Sequence, residues 1–118
     1  MTVTLYHNPK CATSRAVLEM LRARGFEPRI VEYLKTPLTG AELASLAKRM
    51  GVPARAIVRA KEPLYGELGL DRPATTDAQL FEAMVAYPIL LNRPIVETDR
   101  GVRLCRPAEV VTAILPDD

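Results

Sequence analysis

One loop near the start of the chain holds most of the side chains that could do chemistry. It contains Cys11, which follows the β-rich run Thr2–Tyr6 and opens an amphipathic helical pattern. A thiol reacts as its thiolate, and an unperturbed pKa of about 8.5 leaves little of it ionised at neutral pH. The free N–H groups and the positive dipole end of a helix stabilise a negative sulfur. The position therefore predicts a nucleophilic Cys11.

Three neighbours in this loop are suited to lowering the pKa of Cys11. His7, the only histidine, lies four residues earlier and could supply a charge or a hydrogen bond. Ser14, three residues later, could donate from its hydroxyl, and Arg15 could add positive charge. The alternatives are a packed apolar role for Cys11 and a backbone-capping role for His7. The gathering of polar groups on one turn favours the reactive thiol.

Other kinds of site find no support in the sequence. One histidine and two distant cysteines give no zinc-like ligand spacing, and neither a GxGxxG motif nor a Walker loop occurs. The residue three after Cys11 is Ser14, so no local partner exists for a disulfide and a second thiol must come from elsewhere. Val17 stands where tyrosine-phosphatase-like enzymes place an arginine. An anion would therefore be held by distant arginines.

The elements around this loop predict a βαβ unit. The run Thr2–Tyr6 leads into the loop, a helix is expected over 11–24 with a stop at Gly25, and a second β run covers 28–33. Strands joined by such a crossover are expected to be parallel.

The middle of the chain predicts a set of helices, because capping signals and helical periodicity recur there. The expected elements are a helix opened by a capping box of Thr39 and Glu42, a short helix over 53–60, an irregular loop over 61–76, and a helix capped by Asp77 that ends before Tyr87.

The last part of the chain returns to β runs. Residues 94–98 and 102–105 are separated by Asp99-Arg100-Gly101, which is typical of a hairpin. Pro107 is expected to open a final helix whose apolar face consists of Val110, Val111, Ile114 and Leu115. The order of elements indicates an α/β protein.

Composition limits the classes of partner. The 118 residues are 48% hydrophobic and 25% charged, as expected for one globular domain. A net charge of +2 and an aromatic content of 5% argue against nucleic-acid binding, and a small anion fits better. Twelve of the sixteen basic residues are arginines, whose planar donor fork suits tetrahedral oxyanions.

The N-terminal sequence has no signal-peptide pattern, and no apolar run approaches bilayer length. We therefore expect a cytoplasmic protein that does not bind a membrane. In a reducing compartment both cysteines are expected to be free thiols.

Several blocks of the sequence resemble the glutaredoxin-linked arsenate reductase family of the ArsC type. The first is the loop His7-Asn8-Pro9-Lys10-Cys11-Ala12-Thr13-Ser14-Arg15. Further matching stretches are Val52–Arg59, Pro88–Val96 and Arg103–Pro107. They follow the family order and span essentially the whole chain.

This resemblance implies a thioredoxin-like fold. The expected architecture is a mixed four-stranded sheet flanked by helices, in a single domain over 1–118, with a helical insert at about 37–87 between the second and third strands. The family proline that corresponds to Pro94 is commonly cis.

The resemblance also implies a catalytic assembly. In the family, three arginines hold the oxyanion and its thiolated adduct, and by motif they fall on Arg59, Arg93 and Arg106. Asn8 is expected among the substrate-binding residues. Weaker candidates for holding the anion are Arg15, Arg55 and Arg103.

The implied reaction is the reduction of arsenate without a bound metal or cofactor. Cys11 attacks arsenate with loss of water or hydroxide, and glutathione then attacks the Cys11 adduct. A glutaredoxin removes the glutathionyl group and arsenite departs. Because the resolving thiol is external, Cys105 is expected to be a packed strand residue. Lys10 departs from the small residue of other members, and its ammonium could favour the thiolate or discriminate among anions.

Two other functions stay open at this point. One is a thiol-disulfide oxidoreductase of the same fold that acts on protein or glutathione mixed disulfides. The other is a regulator resembling Spx, which binds RNA polymerase and senses oxidation through a CxxC pair. Ser14 in place of the second cysteine argues against sensing by such a pair.

Overall fold

A four-stranded mixed sheet carries the first part and the last part of the chain. The computed structural model describes residues 1–116, so the last two positions of the predicted domain lie outside the described residues. The strands are β1 (Thr4–Tyr6), β2 (Arg29–Val31), β3 (Ile95–Thr98) and β4 (Gly101–Leu104), in the spatial order β2-β1-β3-β4. β1 is parallel to β2 and antiparallel to β3, and β3 and β4 form a hairpin. The predicted βαβ unit and hairpin are both confirmed.

The crossover from β1 to β2 is the helix α1 (Ala12–Ala23). Its buried face consists of Ser14, Val17 and Leu21, which are spaced for one side of an α-helix. After the helix, Gly25 adopts a positive φ of 86°, a conformation that is easy for glycine and costly for residues with a Cβ. The predicted stop at Gly25 is confirmed.

A 3-10 helix over Ala108–Ile114 closes this part of the chain. The predicted final helix is confirmed, in the 3-10 form. Of its predicted apolar face, Val111, Ile114 and Leu115 are buried in the core and Val110 is partly buried against it. A 3-10 helix has three residues per turn, so every third residue faces the same way. The buried residues are accordingly Ala108, Val111 and Ile114.

One hydrophobic core joins α1, the sheet and the final 3-10 helix. It contains Val3, Leu5, Val17, Leu21, Val96, Cys105, Ala108, Val111, Ile114 and Leu115. Cys105 is packed in this core and fully buried, as predicted, although it lies one residue beyond β4 rather than in a strand. Burial raises the pKa of its thiol to about 12. A thiol in such surroundings stays protonated and inert at neutral pH.

The helical insert forms a compact unit of its own. The described residues fall into two such units, Met1–Thr36 together with the chain from Arg93 onward, and Pro37–Asn92. The insert contains α2 (Gly40–Met50), α3 (Pro63–Glu67), α4 (Asp77–Ala86) and 3-10 helices at Ala54–Ala56 and Pro88–Leu90. It therefore runs past the predicted boundary near residue 87. That the whole chain is a single domain stays a prediction.

Capping boxes open both long helices of the insert. The Thr39 hydroxyl accepts from the Glu42 N–H at 3.1 Å, and the Glu42 carboxylate accepts from the Thr39 N–H at 3.0 Å, as predicted. For α4 the N-cap is Thr76, with Gln79 as its partner, rather than the predicted Asp77, which is the first helical residue. A threonine hydroxyl with a glutamine three residues later satisfies two free N–H groups at once.

Two other expectations for the insert differ from the structure. The short helix expected over 53–60 is a single 3-10 turn, Ala54–Ala56. The stretch 61–76, expected as irregular loop, contains α3, which has Glu62 as its N-cap and Pro63 in its first turn. Proline is well placed there, because its missing N–H would have no helical partner.

Together these elements give the thioredoxin-like fold that the resemblance implies. Its hallmarks here are the mixed four-stranded sheet, the helical crossover and a helical insert between the second and third strands. No helix within residues 1–116 is long and apolar enough to cross a membrane.

Candidate active site

The loop that leaves β1 is held by its own backbone and by Asn8. The His7 N–H donates to the Val31 carbonyl oxygen at 2.9 Å, which extends the pairing with β2 by one residue. Asn8 is 3% exposed. Its carbonyl oxygen accepts from the Cys11 N–H at 3.0 Å, and its Oδ1 accepts from the Lys10 N–H at 3.0 Å. The Asn8 side-chain oxygen thus serves the loop, and a contact with substrate stays a prediction.

Cys11 is the N-cap residue of α1. Its backbone is extended, with φ −91° and ψ 121°, and its carbonyl oxygen accepts the N–H of Arg15 at 3.0 Å. The thiol is half-buried, and the first turn of α1 contains no acidic residue. The positive end of the helix is therefore available to a thiolate.

The groups around the sulfur favour its ionised form. Partial burial raises the pKa of Cys11, but the donors outweigh this effect. They are the backbone N–H of Ser14, the guanidinium groups of Arg93 and Arg106, and the backbone N–H of Thr13. The pKa of Cys11 is therefore below the ordinary value of a cysteine, and this environment supports the prediction of a nucleophilic thiol.

Two arginines that are distant from Cys11 in the sequence lie close to its sulfur. Nη1 of Arg106 lies 3.7 Å from Sγ of Cys11 and donates to the Arg93 carbonyl oxygen at 2.9 Å. Nε and Nη1 of Arg93 are buried atoms. Both arginines precede a cis proline, and the resemblance anticipated Pro94 but not Pro107. Two guanidinium groups beside one thiolate suit a tetrahedral oxyanion.

His7 and Ser14 form a buried pair beside the loop. His7 Nδ1 lies 2.6 Å from Ser14 Oγ, which also accepts from the Asn8 N–H at 3.2 Å. Burial lowers the pKa of His7; the carboxylate of Glu32 opposes this, and Arg15 adds to the lowering. A neutral imidazole can accept the Ser14 hydroxyl proton at Nδ1.

The neighbours of Cys11 act on it partly in ways that the sequence did not predict. Ser14 lowers the pKa through its backbone N–H, because its hydroxyl is engaged by His7 and the loop. Lowering of the pKa of His7 favours its neutral form, and its Nδ1 contacts the Ser14 hydroxyl rather than the sulfur. Arg15 donates to the Pro9 carbonyl oxygen at 2.9 Å and so binds the loop. A direct effect of Arg15 on the thiol stays a prediction.

Arg59, the third predicted arginine, belongs to the insert. It is half-buried, and its backbone N–H donates to the Leu90 carbonyl oxygen at 2.7 Å. The same segment is held by two further backbone contacts. The Asn92 N–H donates to the Ile57 carbonyl oxygen, and residues 58 and 91 form an isolated antiparallel bridge. The backbone at Arg59 is therefore well anchored within its unit, and its role toward the oxyanion stays a prediction.

The weaker arginine candidates have structural partners. Arg55 donates to the Tyr65 hydroxyl and to the carbonyl oxygens of residues 70, 72 and 75, at 2.6 to 3.2 Å. Arg103 donates to the Val102 carbonyl oxygen at 2.8 Å. Arg55 therefore serves the fold of the insert.

Sequence reasoning missed the contribution of Thr13 and the second cis proline. The Thr13 effect was accessible in principle, because a residue two places after an N-cap presents a free N–H whatever its side chain. Within residues 1–116, no group of three or more His, Cys, Asp or Glu side chains could hold a metal ion.

Comparisons with known proteins identify the family of this chain. The sequence profile of the ArsC family matches residues 6–114. An arsenate reductase of Rhizobium meliloti (strain 1021) is 51% identical over 117 residues, which are 99% of this chain and 84% of that protein. One of Escherichia coli (strain K12) is 53% identical over 115 residues, 98% of this chain and 82% of that protein. The structure of an arsenate reductase from Vibrio cholerae matches with a TM-score of 0.94 at 42% identity, covering 98% of each chain.

Proposed function

The chain belongs to the ArsC family, and we propose that it reduces arsenate to arsenite with Cys11 as the nucleophile. The observation that carries this proposal is the sulfur of Cys11 at the start of α1, with the guanidinium groups of Arg93 and Arg106 on it. The same cations that favour the thiolate can neutralise an incoming oxyanion. The site is thus suited to bringing two negative groups together.

The first step is the formation of a covalent adduct. The Cys11 thiolate attacks the arsenic atom, a sulfur–arsenic bond forms, and an arsenic–oxygen bond breaks with loss of hydroxide or water. Arsenic stays in its pentavalent state. Arg93 and Arg106 neutralise charge on the arsenate oxygens, and we assign the same task to Arg59 of the insert.

The second step is the reduction itself. A thiolate of glutathione attacks the Cys11 sulfur, a disulfide bond forms, and the sulfur–arsenic bond breaks. Its electron pair stays on arsenic, which leaves as trivalent arsenite while the two sulfurs are oxidised. A glutaredoxin then removes the glutathionyl group by thiol–disulfide exchange and restores the Cys11 thiolate.

The surroundings of the other cysteine support an external reductant. Cys105 is the second of only two cysteines, it is fully buried, and burial raises its pKa to about 12. A protonated thiol packed among aliphatic side chains is a poor attacking group. We therefore assign the resolving thiol to another molecule and not to this chain.

A coupled assay tests the proposal. The purified protein should oxidise NADPH through glutathione reductase only when arsenate, glutathione and glutaredoxin are all present. Cys11→Ser should abolish this signal, and Cys105→Ser should retain it if the variant folds. Persistence of the signal in Cys11→Ser would refute the assignment.

The same assay addresses the two rival functions. A thiol-disulfide oxidoreductase would act on a glutathionylated model substrate in the absence of arsenate, and Arg59→Ala would then have little effect. An Spx-like regulator would show no turnover with either substrate and would be captured by RNA polymerase in a pull-down.

A further inference from the structure

Lys10 is an exposed cation directly beside the nucleophile. It precedes Cys11 in the chain, and its backbone N–H is fixed by Oδ1 of Asn8 at 3.0 Å. Within residues 1–116 its ammonium group makes no ion pair. Lys10 thus has a fixed backbone and a charged end that is open to solvent.

The other cations of the loop region are engaged. Arg93 and Arg106 act on the Cys11 sulfur, and Arg15 donates to the Pro9 carbonyl oxygen at 2.9 Å. The loop from residue 7 to residue 15 contains no Asp or Glu that could neutralise Lys10 locally. Lys10 is therefore the loop cation that is available to a second reactant.

We propose that Lys10 selects the resolving thiol and that it favours a small thiol carrying carboxylates, the class to which glutathione belongs. The proposal rests on the function proposed above. Once arsenate is bound, its charge is matched by the arginines at the sulfur. The thiol that attacks the Cys11 sulfur must then approach from solvent, where Lys10 is exposed. An exposed charge attracts an anionic reactant and leaves a neutral one unaffected.

The test compares two thiols on the same adduct. At low ionic strength, the second-order rate constant for release of arsenite from the arsenate adduct is measured in a single turnover, which needs no glutaredoxin, with glutathione, which is anionic, and with 2-mercaptoethanol, which is neutral. Lys10→Gln should lower the ratio of the glutathione value to the 2-mercaptoethanol value about two- to fivefold, the range expected for one exposed charge pair. Lys10→Glu should lower it further, and added salt should reduce the wild-type ratio.

The ratio of the two rate constants distinguishes selection of the resolving thiol from other roles of Lys10. If Lys10 acted on arsenate or on the ionisation of Cys11, both thiols would lose rate together and the ratio would not change. The matched control is Lys48→Gln, the same change at an exposed lysine of α2, which should leave the ratio unaltered. An unchanged ratio in both Lys10 variants would overturn the inference.

A second measurement separates this inference from the proposed function. Cys11 can be blocked as a mixed disulfide with 2-mercaptoethanol and released by either thiol in the absence of arsenate. A wild-type protein that fails to turn over arsenate would refute the proposed function. The release rates of wild type and Lys10→Gln would still show whether Lys10 selects the anionic thiol.

Discussion

At the scale of single residues, the ionisation of Cys11 depends on donors from two different parts of the chain. The N–H groups of Thr13 and Ser14 come with the start of α1, whereas Arg93 and Arg106 reach the sulfur from beyond residue 92. The first set is built into the local backbone and survives most side-chain changes. The second set can be removed one guanidinium at a time, which makes its contribution measurable.

We expect Arg106→Ala to raise the pKa of Cys11, because it removes a cation 3.7 Å from the sulfur. The pH midpoint of Cys11 alkylation by iodoacetamide, followed by mass spectrometry, should move upward. The value of kcat/KM for arsenate should fall about 100-fold, since the oxyanion loses a donor. Arg103→Ala is the control, and an unchanged alkylation midpoint in Arg106→Ala would contradict the expectation.

His7 is expected to make the stability of the protein depend on pH. Burial lowers the pKa of His7 in the folded state, while the unfolded chain keeps a value of about 6.5. As the pH falls below about 6.5, the unfolded state binds more protons than the folded state, so the free energy of unfolding decreases. His7→Asn keeps a polar group at the δ position but cannot titrate.

Urea denaturation of both proteins at about pH 7.5 and about pH 5.5 tests this effect, because other titrating groups contribute equally to each. The loss of stability on acidification should be smaller in His7→Asn. Equal losses in the two proteins would show that His7 is not the responsible group.

The sequence could predict a residue such as Cys11 because its environment is local. A strand, a polar turn and a helix start place a thiol at free N–H groups without reference to any distant segment. The side-chain detail was not accessible in the same way. Ser14 was expected to act through its hydroxyl, but the contact between that hydroxyl and His7 depends on how the loop folds back on α1. Arg93 and Arg106 were identified only through the resemblance.

At the scale of elements, those with strong local signals were predicted well. The capping box of Thr39 and Glu42 predicted the start of α2, and the structure confirms it. The turn residues Asp99-Arg100-Gly101 predicted the hairpin of β3 and β4, which is also confirmed. The helix α3 was missed because five residues containing a glycine carry little helical signal of their own. Its segment is held instead by Arg55, which lies earlier in the insert.

Arg55→Ala should therefore destabilise the insert. Arg55 makes four hydrogen bonds to the segment 65–75, three of them partly buried, and the substitution removes all four. We expect the free energy of unfolding to fall by about 2–4 kcal/mol, with protection from hydrogen exchange lost first in the segment 63–75. Arg55→Lys keeps the charge but cannot reach all four acceptors, so it should recover only part of the loss. A change below about 0.5 kcal/mol would be that of an ordinary surface site and would contradict this role.

At the scale of the whole molecule, the sequence predicted the order of elements and the existence of the insert, but not where the insert ends. The predicted boundary was near residue 87, because Tyr87-Pro88 ends α4. The structure continues the insert to Asn92, since the Leu90 carbonyl accepts from Arg59 and the Asn92 N–H donates to Ile57. Such pairing between segments about thirty residues apart has no local signature.

The insert also contains Arg59, and a substitution there distinguishes the ionisation of Cys11 from the binding of arsenate. Among residues 1–116, the groups that lower the pKa of Cys11 belong to the other unit, so Arg59→Ala should leave the alkylation midpoint unchanged. If Arg59 holds the oxyanion, kcat/KM for arsenate should nevertheless fall about 10- to 100-fold. Arg106→Ala, in contrast, should change both quantities. Arg72→Ala, at an exposed arginine of the insert, is the matched control. Full arsenate activity in Arg59→Ala would show that Arg59 does not hold the oxyanion.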